Sequence, residues 1–126
     1  MTHPSLPPLV PTALDGARVL DMTDASCAYA TKMLRDMGAD VVRIEPTGGH
    51  AMRRHPPLDP ETGESMFDAF MNAGKRSVTL DLDTPQGAEL FRRLVATADM
   101  VVESHAPGAL GLHGGTRLQV HNGRLD

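Results

Sequence analysis

Apolar and polar positions along the chain follow two rhythms, one typical of buried strands and one typical of amphipathic helices. Short runs rich in Val, Ile and Leu predict strands, and segments with apolar residues at every third or fourth position predict helices. Strands are predicted at 17–22, 39–45, 77–82 and 98–103, and helices at 27–37, 65–73 and 84–97. Because the two kinds alternate, the pattern predicts an α/β fold, a Rossmann-like parallel sheet with flanking helices.

Each predicted helix has an apolar side that we expect to face the core. These sides comprise Ala30, Met33, Leu34 and Met37 in the first helix, Met66, Phe67, Phe70 and Met71 in the second, and Ala88, Phe91, Leu94, Val95 and Ala98 in the third. Gly38 is expected to end the first helix in a left-handed conformation. Asp83 or Thr84 is expected to cap the third helix, with Pro85 in its first turn.

Two stretches lack either rhythm. Residues 1–13 contain four prolines and predict an extended arm, so the α/β domain is expected to occupy 14–126. Residues 46–63 are rich in Gly, Pro and charge and predict a long surface loop. In that loop Gly48, Gly49, Arg53 and Arg54 could contact a phosphate. The alternative, a solvated loop, is favoured from sequence alone.

Composition narrows the classes of function. A net charge of -4 with three Phe, one Tyr and no Trp argues against a nucleic-acid partner. Cys27 is the single cysteine, and no apolar run is long enough to cross a membrane, so a cytoplasmic protein without a membrane partner is expected. The six histidines show no metal-ligand spacing and no GxGxxG follows the first strand, so we expect neither a metal nor a dinucleotide fingerprint.

Four segments carry a resemblance to a known family. They are GADVVRIEP, GKRSVTLDL, TPQGAELF and ADMVVES with a following PG. Together with the residues between them, from about Leu14 to Leu110, they resemble the N-terminal part of the family III CoA-transferases. That group includes formyl-CoA transferase, the carnitine CoA-transferases and α-methylacyl-CoA racemase. The fold expected from the resemblance is an incomplete, N-terminal portion of the family fold, making 14–126 a partial CoA-binding domain.

The resemblance also implies where coenzyme A, free or as acyl-CoA, would bind. It places CoA at the carboxyl ends of the parallel strands, the usual ligand position in open α/β sheets. The contact residues it implies are Ala28 in the turn DASCAYA, Leu80, Asp81, Leu82 and Asp83 after the third strand, and Ser104 and His105 after the fourth. Lys75 and Arg76 could add charge near the phosphates, although salt bridges at the strand entry are at least as well supported.

Four positions depart from the family pattern and predict weak CoA binding. Pro46 replaces a frequent basic residue, Ser104 and His105 replace an Asn-aromatic pair, and Leu112 replaces an arginine of some members. The family nucleophile is an aspartate that forms mixed anhydrides with the acyl group, and it is expected beyond Asp126. No catalytic residue is therefore expected within the chain.

We accordingly expect the CoA-binding part of an enzyme that moves CoA between acyl-CoA and a carboxylic acid. Full-length relatives form interlocked homodimers, so this chain is expected to need a complementary piece. Two alternatives stay open at the level of sequence. One is a non-catalytic nucleotide- or partner-binding α/β module, and the other is a truncated remnant.

Overall fold

The computed structural model describes residues 11–106 in full and the backbone of 120–121 and 124–125. Its elements are β1 (Arg18–Met22), α1 (Ala28–Asp36), β2 (Asp40–Glu45), a 3-10 helix (Ala51–Arg54), α2 (Met66–Met71), β3 (Arg76–Thr79), α3 (Pro85–Val95), β4 (Met100–Glu103), β5 (Val120–His121) and β6 (Arg124–Leu125). Most of the predicted arm and Leu112 lie outside the described residues, and the proposed domain boundary stays a prediction.

Strands β1 to β4 form one sheet in the order β3-β2-β1-β4, and every neighbouring pair is parallel. Leu20 in the central strand β1 lies opposite Val42 of β2 and Val101 of β4. The predicted α/β fold with a parallel sheet is confirmed. Strands β5 and β6 pair antiparallel with each other.

One face of the sheet is apolar and is covered by α3. Alternate residues of β1 and β2 point to this side, where they meet the inward side of the helix. The buried cluster comprises Leu20, Met22, Val42, Ile44, Leu80, Phe91 and Val95. Leu94 packs against it and Ala88 is also buried, so the predicted apolar side is confirmed within α3; Ala98, which was predicted for the same side, packs there from beyond the end of the helix.

The opposite face is apolar only at the amino ends of the strands. There Val19 and Val41 pack with Ala39 and with Leu34 of α1. Towards the carboxyl ends the same face presents Asp21 and Arg43, and both are buried. This half of the interior is therefore held by ion pairs and hydrogen bonds rather than by apolar contacts.

The predicted inward side of α1 is right at Leu34, which packs against the core, and wrong at Ala30, Met33 and Met37. Met33 and Met37 are exposed, whereas Ala28 and Thr31 are the buried residues of the helix. The physical reason is the polar half-face beneath α1, because the hydroxyl of Thr31 donates a 2.8 Å hydrogen bond to Asp21 Oδ2. A methionine at that position would leave the buried carboxylate without this partner.

The apolar side predicted for α2 is also only partly buried. Met66 and Phe70 are exposed. Phe67 instead stacks on the ring of His55 with centroids 4.4 Å apart. The helix begins at the N-cap Ser65, whose hydroxyl accepts a hydrogen bond from the Asp68 amide.

Along the part of the chain described, no helix is both long and apolar enough to cross a membrane.

Strand β3 ends earlier than predicted, at Thr79 rather than at residue 82. The Leu80 amide still donates to the Glu45 carbonyl over 2.9 Å. The neighbouring strand then reaches Pro46, which has no amide hydrogen, so the ladder stops. Residues 80–83 consequently form a loop beyond the sheet edge.

Helix α3 is capped by Thr84, one of the two residues predicted for that role. Its Oγ1 accepts a 3.1 Å hydrogen bond from the Gly87 amide and donates a 2.8 Å bond to the Asp81 carbonyl. Pro85 occupies the first helical position as predicted. The cap thus ties the start of the helix to the loop at 80–83.

Candidate functional site

A pocket of about 420 Å³ opens at the carboxyl edge of the sheet. The last residues of β1 and β2 and the residues that follow β3 and β4 contribute to it, as expected for ligand sites in open α/β folds. The lining residues are Met22, Ile44, Glu45, Pro46, Thr47, His50, Leu80, Asp81, Leu82, Asp83 and His105. The aliphatic side chains among them form apolar walls next to a carboxylate-rich rim.

The charges around the pocket are acidic. Three carboxylates line it, those of Glu45, Asp81 and Asp83, and no Lys or Arg is among its described lining residues. Burial, followed by the charge of Arg43, lowers the pKa of His50, so its ring is predominantly neutral near pH 7. The pocket is therefore better suited to an uncharged group, such as a purine ring or an amide chain, than to a phosphate.

Glu45 organises the loop that forms one wall of the pocket. Its carboxylate is buried and receives two hydrogen bonds from Arg53, of 2.7 and 2.8 Å. The His50 amide and the Ser77 hydroxyl donate further bonds of 3.1 and 3.0 Å. The bond from Arg53, supported by these two donors, lowers the pKa of Glu45 to about 2.

Replacing Glu45 with glutamine should make the fold less sensitive to acid. Glu45 has a pKa of about 2 in the fold against an ordinary value of 4.5. A depressed pKa stabilises the fold above the ordinary value, and this contribution is lost as the pH falls through 4.5 towards 2. Thermal midpoints measured from pH 7 to pH 2.5 should fall less steeply in Glu45→Gln than in the wild type. Glu61→Gln, a change of an exposed acid in the same loop, is the control, and parallel curves for Glu45→Gln and the wild type would contradict the prediction.

The turn between β1 and α1 lies beside the pocket and is tied to the turn after β4. The Asp24 amide donates a 2.8 Å hydrogen bond to Ser104 Oγ. Asp24 Oδ1 in turn accepts hydrogen bonds from the amide and the hydroxyl of Ser26. His105, the next residue after Ser104, lines the pocket.

Beneath that turn, Lys75 and Asp21 form a buried ion pair. Their Nζ and Oδ2 atoms are 2.8 Å apart, and each side chain is only 1% exposed. Burial acts to raise the pKa of Asp21, but the hydrogen bonds from Lys75 and Thr23 outweigh it and hold the pKa below its ordinary range. The Asp21 carboxyl group is therefore ionised at neutral pH. Burial lowers the pKa of Lys75, and the hydrogen bond and charge of Asp21 oppose that shift.

The structure brings together most of the residues predicted to contact CoA. Five of the seven line the pocket: Leu80, Asp81, Leu82, Asp83 and His105. Ser104 does not line the pocket; it precedes His105, and its hydroxyl oxygen accepts a hydrogen bond from the Asp24 amide. Ala28 is buried in the first turn of α1 and does not line the pocket. Their contact with CoA stays a prediction.

Three of the four basic residues weighed as phosphate ligands are engaged in ion pairs, and the fourth, Arg54, is exposed. Lys75 binds Asp21, and Arg76 binds Asp40 with Nη2 and Oδ2 2.6 Å apart. The salt-bridge alternative is thus the one that the structure supports. In the 46–63 loop, Arg53 likewise pairs with Glu45. The loop also contains a 3-10 helix that the sequence pattern did not indicate.

Sequence reasoning missed the wall of the pocket formed by β2 and the residues after it. Thr47 and His50 reach the site because the loop folds back on Glu45. His50 Nδ1 accepts a 3.2 Å hydrogen bond from the Met52 amide, which leaves its Nε2 as the donor. The available signal was the position of this loop at the carboxyl end of a predicted central strand.

The fold agrees with what comparison with known proteins shows. The family model described as CoA-transferase family III matches residues 14–122. The chain therefore belongs to CoA-transferase family III.

Individual relatives support the same assignment over a part of their length. Succinyl-CoA:mesaconate CoA-transferase of Haloarcula hispanica is 43% identical over 102 residues, which is 78% of this chain and 26% of that protein. Formyl-CoA:oxalate CoA-transferase of Rhodopseudomonas palustris is 38% identical over 116 residues, 90% of this chain and 27% of that protein. A CAIB/BAIF family protein from Brucella suis superposes with a TM-score of 0.73 at 36% identity, covering 82% of this chain and 29% of that one. The chain spans about a quarter of the length of these curated relatives.

Proposed function

We propose that the described residues form the CoA-binding N-terminal portion of an enzyme that transfers CoA between acyl-CoA and a carboxylic acid. The observation that carries the proposal is the pocket at the carboxyl edge of the sheet, in a chain that belongs to this family. Coenzyme A, free or as acyl-CoA, is the proposed partner. A cytoplasmic location and an interlocked dimer completed by further chain are parts of the same proposal.

The chemistry of the pocket favours an orientation for CoA. Ile44, Leu80 and Leu82 offer apolar contact to a flat base or to the pantetheine arm. The Asp81 carboxylate would repel phosphate but can accept hydrogen bonds from hydroxyl or amino groups. The phosphates are therefore proposed to lie outside the pocket, towards solvent or towards further chain.

The nucleophile is proposed to come from further chain as well. A carboxylate that attacks a thioester needs an open approach to the reacting carbon. The buried acids near the site, Asp21 and Glu45, do not offer this, because Lys75 closes off the first and Arg53 the second. The partly buried Asp68 is bonded to Arg43 over 3.0 Å. These carboxylates are proposed to hold the CoA-binding half in shape rather than to react.

The test is a titration of the 126-residue chain with CoA, followed by amide chemical shifts. We expect saturable shifts at Leu80, Leu82 and His105, with a dissociation constant in the micromolar range or weaker, about -8 kcal/mol or less favourable. Leu82→Glu should weaken binding because it adds a third carboxylate to the loop at 80–83. Leu90→Glu changes an exposed residue of α3 outside the pocket and serves as the matched control.

Parallel titrations with ATP and NAD separate the alternatives. Tighter binding of CoA supports the proposal. Equal binding of all three ligands would favour a non-catalytic nucleotide-binding module. Absence of CoA shifts at the pocket residues of the wild type would overturn the proposed function.

A further inference from the structure

A single ammonium group connects the two ends of segment 23–28, which is the turn between β1 and α1 together with the first residue of α1. Lys75 Nζ donates to Asp21 Oδ2 over 2.8 Å and to the Ala28 carbonyl over 3.2 Å. The same Asp21 carboxylate, through Oδ1, accepts bonds of 2.9 and 2.6 Å from the amide and the hydroxyl of Thr23. Lys75 therefore fixes the end of the turn directly and its beginning through Asp21.

Two further oxygens complete the surroundings of the ammonium group. Thr31 Oγ1 lies 2.7 Å and Asn72 Oδ1 2.8 Å from Nζ. The acceptors come from β1, from α1 and from the residue that follows α2. Because a lysine ammonium has only three hydrogens, the four oxygens satisfy it fully within the protein.

Lys75 is too buried to touch a ligand, with 1% of its side chain exposed. Its effect on the site must pass through the turn. Met22, between Asp21 and Thr23, lines the pocket, and the Asp24 amide bonds to Ser104 next to the pocket residue His105. Hydrogen bonds and the intervening backbone thus link the ammonium group to two residues that line the pocket, Met22 and His105.

We propose that Lys75 is a positioning residue for the CoA site, which holds the 23–28 turn in its binding shape through Asp21, Thr31 and the Ala28 carbonyl. The inference rests on the proposed function and adds to it a residue that does not contact CoA. Preorganisation of a loop raises affinity because the entropy of ordering that loop is not lost on binding. Without the ammonium group, the Asp21 carboxylate and the Ala28 carbonyl lose their shared donor, and the turn is free to take other shapes.

The test compares CoA affinity and turn geometry in four variants of the whole chain. Lys75→Met removes the ammonium group and keeps most of the stem. Thr31→Val removes one hydroxyl and is the milder change, Thr31→Ser restores that hydroxyl, and Arg76→Met removes the neighbouring cation, which pairs with Asp40 at the surface. Dissociation constants are measured well below each thermal midpoint, and the amide shifts of Thr23 and Asp24 are recorded without CoA.

Lys75→Met should weaken CoA binding at least about tenfold and move the two amide signals in the free protein. Thr31→Val should weaken binding about fivefold, the effect of one hydrogen bond, and Thr31→Ser should recover it. Arg76→Met should stay within about twofold of the wild type, since its ion pair is exposed. If Lys75→Met does not fold, the CoA affinities of Thr31→Val and Thr31→Ser test the positioning role instead.

The possible failures are distinguishable. Folded Lys75→Met or Thr31→Val protein with wild-type affinity and unmoved Thr23 and Asp24 signals would overturn the positioning role and leave the proposed function intact. Equal weakening by Arg76→Met would also overturn it, because the effect would then be general loss of charge. A wild-type chain that does not bind CoA would overturn the proposed function, and the inference with it.

Discussion

Replacing Asp21 with asparagine should destabilise the fold by about 3–5 kcal/mol, the range for removing one partner of a buried ion pair. The side chain keeps its size, so no cavity is formed. The Lys75 ammonium group, 1% exposed, would lose its only charged hydrogen-bond partner among the described residues. Urea unfolding at neutral pH, where Asp21 is ionised in the wild type, measures the change in the free energy of unfolding.

Asp40→Asn is the matched control for this effect. Like Asp21, Asp40 forms ion pairs, in this case with Arg18 and Arg76, but these ion pairs lie at the surface. Exposed ion pairs contribute about 0–1 kcal/mol because water and salt screen them. Similar losses in Asp21→Asn and Asp40→Asn would show that burial does not set the strength of the Asp21 pair.

A second large change in stability is expected from Gly87→Ala. Its sign shows whether helix propensity or the close approach of Gly87 to the loop at 80–83 dominates. Alanine is favoured over glycine inside a helix by about 1 kcal/mol, so propensity alone predicts stabilisation. In the structure, however, an added Cβ at Gly87 would lie 1.8 Å from the Asp81 carbonyl oxygen. That atom is backbone, so α3 or the loop at 80–83 must move, which we expect to cost about 1–3 kcal/mol net of propensity.

Gln86→Ala is the matched control, since it places alanine at the adjacent, exposed position of the same helical turn. Thermal unfolding should show a lowered midpoint for Gly87→Ala and little change for Gln86→Ala. The Asp81 loop lines the pocket, so Gly87→Ala should also weaken CoA binding. A raised midpoint in Gly87→Ala would show that the close approach between α3 and the loop is absent.

Much of the fold was predictable because its apolar half follows simple periodicities. Leu20, Val42 and Ile44 belong to runs that read as buried strands, and Phe91 and Val95 recur at helical spacing. The other half was not predictable in the same way. Its partners, such as Asp21 with Lys75, are 54 residues apart in sequence, and no local pattern joins them.

The same reasoning explains the error in α1. A period of 3.6 selects the most apolar side of the helix, and for α1 that side contains Met33 and Met37. The surface beneath the helix is polar at this point, so the inward residue is Thr31. Periodicity describes the helix alone and carries no information about the charge of the surface on which it packs.

The candidate site likewise contains residues that could be predicted from the sequence and residues that could not. Leu80, Asp83 and His105 were named because the resemblance placed CoA there and because strand ends meet at one edge. The wall formed by Thr47 and His50 depends on the hydrogen bonds that Arg53 and the His50 amide donate to the Glu45 carboxylate. That contact is made by a loop without periodicity, so its position could be known only from the structure.

Because the two faces of the sheet differ in polarity, the helices packed on them are expected to differ in their sensitivity to acid. The α3 layer rests on aliphatic and aromatic contacts, which acid leaves unchanged. The layer of α1 and α2 depends on carboxylates that must keep their charge, among them Asp21 and Glu45. Acid is therefore expected to act on one layer first. The first form to appear on acidification should keep α3 on the sheet, while α1 and the turn between β1 and α1 detach from it.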